Sequence, residues 1–141
     1  MSSDGAPEGA RFPVSHTWFR TGPTHSAAGT GLWRPDDRVA VLFLGHAALL
    51  ADLLRAPSGC GDVVNGECRV DDSLLEAFCS AALAEYGATE QGIQRTLTVG
   101  LIATALVLLD RAGRPVPGSV VPEQQAAWAA LRDQHSAVMP R

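Results

Sequence analysis

Apolar residues recur at helical spacing in four segments of the chain, and nowhere in its first 34 residues. In DDRVAVLFLGHAALLADLLRA, the residues Val39, Leu42, Phe43, Leu49, Leu50, Leu53 and Leu54 make a helix from Asp37 to Arg55 apolar over most of its surface. Pro35 and the Asp36–Asp37 pair supply its start, because a carboxylate there accepts from free backbone N–H groups; Pro57 and Gly59 stop it. A second helix runs from Ser73 to Tyr86, capped by Asp71 or Asp72 and ended by Gly87. Its stripe is Leu75, Phe78, Cys79, Ala82 and Tyr86.

The third helix, Thr89 to Ala112, is apolar on every side between Leu97 and Leu109, the pattern of a buried central helix. Thr96, Gly100 and Thr104 form a row of small residues along it. The fourth opens at Pro122 and reaches Val138, with Ala127, Trp128 and Leu131 facing inward and His135 one turn further on.

Between the first two helices, Asn65-Gly66 separates Val63-Val64 from Cys68-Val70. Both turn positions of a two-residue hairpin need positive φ, which Asn and Gly supply. The register then sets Val64 against Glu67, Val63 against Cys68, and Cys60 against Asp71, away from Cys68. The whole pattern predicts an all-α fold: a four-helix bundle-like single domain over residues 35–141, one small β-hairpin, and an irregular aromatic N-terminal arm over residues 1–34.

Composition narrows the function classes. With 46% hydrophobic and 18% charged residues the chain is a folded domain, not a disordered one. Its net charge of −4 removes any general attraction to phosphate backbones or anionic membranes, so no nucleic acid and no membrane partner is expected. Every basic residue is arginine, a bias that reads as a high-GC bacterial genome. The N-terminus has no basic start followed by an apolar core. The uncharged run Thr96–Leu109 would reach only about 21 Å as a helix, against about 30 Å for a bilayer core. Three cysteines are an odd count for a disulfide framework, and the expectation is a cytoplasmic protein.

Known chemistries mostly fail on spacing. The cysteines are separated by seven and ten residues, unlike the close pairs of a zinc site, so no metal is expected. Gly29-Thr30-Gly31 belongs to no phosphate-binding loop, and no cofactor is implied. Asp36–Asp37 and Asp71–Asp72 are explained as helix caps. A helix-turn-helix in ALAEYGATEQGIQRTL would present Glu90, Gln91, Gln94 and Arg95, which is no basic footprint for DNA.

Two places remain. His46 lies mid-helix among apolar residues beside Gly45, either as a hydrogen-bonded core histidine or as a neutral imidazole held in an apolar pocket. The arm gathers Phe12, Trp18, Phe19 and Trp33 with His16, Arg20 and His25, and four aromatics do not stay in water when burial gains about 1.5–3 kcal/mol each. They dock as structure, or they form a lid.

The leading expectation is therefore a small-molecule-binding helical protein, either a plain ligand binder or a cofactor-independent enzyme with cyclase- or isomerase-type acid–base chemistry on an apolar metabolite. Its catalytic candidates are His46, His16 and His25, and its lining candidates are Trp18, Phe19, Arg20, Trp33 and Phe43. The alternative is a helical interaction or oligomerisation module, and a homo-oligomer is expected in either case. A cavity bordered by His46 would favour the first reading; a filled bundle would favour the second.

Overall fold

The computed structural model describes residues 15–22, 29–118 and 120–141. In chain order these form β1 (Trp18–Thr21), β2 (Gly31–Trp33), α1 (Asp37–Leu54), β3 (Cys60–Val64), β4 (Glu67–Val70), α2 (Asp72–Ala88), α3 (Gly92–Arg111) and α4 (Pro122–Ser136).

The four helices fall close to their predicted places, for the predicted reasons. Asp36 accepts from the Val39 amide at 2.9 Å and Asp71 accepts from the Leu74 amide at 3.0 Å, the two expected carboxylate caps. Gly87 does not end α2, which continues to Ala88; Thr89 stops the chain there and its hydroxyl accepts from the Gln91 amide at 3.2 Å.

The all-α expectation is overturned. The four strands join into one mixed sheet in the order β2-β1-β4-β3, making the fold α+β. Two of the strands lie in the stretch expected to be irregular. β1 runs parallel to β4, with Phe19 beside Cys68 and Thr21 beside Val70, and antiparallel to β2, with Phe19 beside Trp33. Strands of three and four residues are too short to display a period, and a parallel partner far along the chain leaves no local mark.

The hairpin forms with Asn65 at φ 53° and Gly66 at φ 75°, and with Val63 opposite Cys68 and Val64 opposite Glu67. A bulge between Cys60 and Val63 moves Cys60 opposite Val70 instead of Asp71.

Alternation along the strands sorts the sheet into two faces. Phe19, Trp33, Cys68 and Val70 are buried and join Leu75, Phe78, Leu106 and Leu108 in one core. The outer face carries Arg20 and Arg69, which clasp Glu67 at 3.2 and 3.1 Å.

Among the described residues, α3 is the one helix long and apolar enough to cross a membrane by length and composition. Its 20 residues exceed the uncharged run read from sequence. Leu101, Ile102, Ala105, Leu106, Leu108 and Leu109 form its buried half, inside the core. The expectation of burial on every side fails toward the N-terminus, where Ile93 and Leu97 are 66% and 64% exposed.

Candidate functional site

α1 buries only one stripe, Ala40, Phe43, Ala47 and Leu50. The flank adjoining that stripe is no less apolar. Val39, Leu42, Leu49 and Leu53 are 42%, 73%, 61% and 74% exposed, and half-buried His46 stands in the middle of their row. Alongside, α3 adds Ile93 and Leu97, then the exposed, side-chain-free position of Gly100.

Two open grooves follow the α1–α3 junction and meet at His46. One, about 360 Å3, lies between Leu49, Leu53, Ile93, Leu97, Gln94 and Thr98. The other, about 330 Å3, lies between Val39, Leu42, Gly100, Thr104, His135 and Val138, and Trp33 and Phe43 also border it. The polar groups here are hydroxyls, amides and imidazoles; among the described residues no Asp, Glu or Arg lines either groove.

Of the sequence candidates, His46, Trp33 and Phe43 line one groove, and Trp18, Phe19, Arg20 and His16 lie outside it. Phe19, Trp33 and Phe43 form a buried aromatic trio. Phe19 and Trp33 have centroids 5.1 Å apart, and Phe43 meets them edge-on at 5.8 and 5.6 Å. Their rings hold the sheet onto α1, so the described part of the arm is built into the core. Trp18 is on the outer face, 37% exposed, with the Arg20 guanidinium 4.6 Å from its ring centroid.

His16 is exposed, bridges to Asp36 before α1, and lines neither groove with His46. His25 and Phe12 lie outside the described residues. His135, one turn beyond the inward-facing residues of the fourth helix, shares a groove with His46.

A third concavity, about 360 Å3, opens between α2, α3 and α4. Tyr86 and Trp128 meet edge to face there at 5.0 Å, and the Arg95 guanidinium stacks 5.5 Å from the Tyr86 centroid while its Nε donates to the Tyr86 carbonyl. Trp128 is buried in the core, as its helical spacing predicts, and Tyr86 packs half-buried against it.

The three cysteines are free, and two are neighbours. The Cys68 thiol hydrogen-bonds Cys60, lowering the pKa of Cys60 and raising its own, and burial pushes Cys68 further up. Burial pushes the Cys79 thiol up to about 12. Among the described residues, no group of three His, Cys, Asp or Glu side chains is placed to hold a metal ion.

Comparison with known proteins adds a family and no activity. A family of unknown function, DUF6086, matches residues 24–141, and the chain belongs to it. The match begins after β1, although β1 is the strand that joins β2 to β4. No curated protein and no solved structure matches the chain.

Proposed function

We propose that this protein is a protein–protein interaction module and that the α1–α3 face is its binding surface. The observation that carries this reading is the apolar, uncharged row Val39, Leu42, Leu49 and Leu53 with Ile93 and Leu97 beside it. A fully buried Leu gains up to about 3 kcal/mol at about 25 cal/mol per Å2, which corresponds to roughly 120 Å2 of surface. Six aliphatic side chains exposed by 42–74% then present roughly 450 Å2, within the range of the largest patch on a monomer, which is often functional. Helical faces of this kind recognise other helices. Three free thiols suit the cytoplasm as the place of work.

Carbene footprinting of the native protein in its cellular assembly tests this. Leu42, Leu49 and Leu97 should be protected there and labelled after dissociation; labelling of all three under every condition would remove the proposal.

One observation favours the ligand reading as well: His46 borders both grooves, one also lined by Thr98 and Gln94 and the other by His135. An apolar molecule of modest size would fit against it. Native mass spectrometry of wild type and His46→Gln separates the two, because a ligand held by the imidazole would be lost from the variant while fold and assembly persist.

A further inference from the structure

We infer that the partner on the α1–α3 face is a second copy of this chain, docked antiparallel through α1 about a two-fold axis at Gly45. The inference rests on the interaction reading above and adds the occupant and its register.

The first argument is spacing. Val39, Leu42, His46, Leu49 and Leu53 follow one another at alternating steps of three and four, the a/d seam of two packed helices. The face buried in this protein's own core, Ala40, Phe43, Ala47 and Leu50, is a separate stripe, so the exposed seam is surplus to the fold.

The second argument is self-complementarity. The residue before each seam position Val39, His46 and Leu53 is Arg38, Gly45 and Asp52, which reads positive, empty, negative along one edge of α1. A two-fold interface sets the same patch against itself in reverse. An antiparallel copy then brings Arg38 against Asp52 of the partner subunit on both sides of the axis, and Gly45 against Gly45 of the partner subunit. Arg38, Gly45 and Asp52 are all exposed, and a Cβ built at Gly45 meets nothing within 4 Å, so the backbones are free to approach. The seam layers are staggered by two residues from these edge pairs, so that Val39 lies on Leu49 of the partner subunit and Leu42 on His46 of the partner subunit.

The third argument is area. A standard interface takes about 800 Å2 per partner, of which about 57% is apolar. The roughly 450 Å2 presented by the six aliphatic residues matches that apolar share when the partner's α1 covers Ile93 and Leu97 of α3 together with the seam, and Arg38, Gly45, His46 and Asp52 supply polar surface around it.

The test is sedimentation equilibrium on the full chain, with folding checked by far-UV dichroism. Wild type should sediment at twice the monomer mass, and Leu49→Asp should weaken the dimer on the order of a hundredfold. Arg38→Asp and Asp52→Arg should each weaken it about tenfold, and the double variant should restore it, because a reciprocal swap rescues only a surface that binds itself. Gly45→Cys should form an intermolecular disulfide on mild oxidation, which wild type treated in parallel does not. A monomer at every concentration overturns the inference, as does a dimer indifferent to Leu49→Asp or not restored by the double swap. A monomer whose Leu42 and Leu49 become protected on adding a different protein overturns the dimer and leaves the interaction module standing.

Discussion

Arg111, at the end of α3, donates from Nη1 to the carbonyl oxygen of Leu32 in β2 at 2.8 Å, across 79 residues of sequence. Its Nη2 donates to the Met139 carbonyl at 2.7 Å and to the Ser136 hydroxyl and carbonyl at 3.0 and 3.2 Å. One guanidinium therefore ties the sheet, the central helix and the C-terminal turn together. Desolvation draws its pKa down, the sign of a cation held partly out of water. Arg111→Ala should cost about 2–4 kcal/mol in urea unfolding, because hydrogen bonds to charged groups are worth about 1.5–3 kcal/mol and several share one side chain. Arg111→Lys should recover only part of the loss, since an ammonium cannot spread a planar fork over three residues.

The two aromatic neighbours in β1 should respond oppositely to truncation. Phe19 is fully buried between Trp33 and Phe43, and Phe19→Ala should cost about 3–5 kcal/mol and flatten the near-UV dichroism. Trp18 lies on the outer face under Arg20, and Trp18→Ala should cost about 1 kcal/mol or less. Equal losses from the two would show that the sheet faces are assigned wrongly.

The thiols give a pH dependence whose sign follows from burial. The Cys79 thiol is pushed up from 9.0 to about 12 in the folded protein, so folding favours its protonated form. Below pH 9 both states keep the proton and the full stability is present; as pH rises from about 9 toward 12 the unfolded chain loses the proton first and stability falls. Urea midpoints should drop across that window, and Cys79→Ala should flatten the drop after its own constant loss of packing. Alkylation at neutral pH should strike Cys60 first, because its partner Cys68 stabilises the Cys60 thiolate. Mass mapping of the first modified peptide checks the order.

Much of the chain was legible from local signals. The helix starts at Asp36 and Asp71 follow from the chemistry of a capping carboxylate, and the hairpin follows from the positive φ that Asn65 and Gly66 tolerate. The core stripe Leu75, Phe78, Cys79 and Ala82 is a matter of helical period alone, and all four residues are buried. These features depend on neighbours within a turn, so the sequence by itself determined them.

What it left open depends on contacts between distant segments. The pairing of Trp18–Thr21 with Glu67–Val70 is parallel and long-range, and it turned an apparent arm into the joining strand of the sheet. That one pairing put Phe19 in the core, where it lines neither groove, while Trp33 packs on Phe19 and still borders the groove at His46. A helix apolar on both sides, such as α1, has two stripes equally able to face inward, and periodicity cannot rank them. The packing of the sheet against Phe43 chose the Ala40–Leu50 stripe, and so left the row from Val39 through His46 to Leu53 on the outside. The candidate site exists because the tertiary fold had room to bury only one of the two stripes.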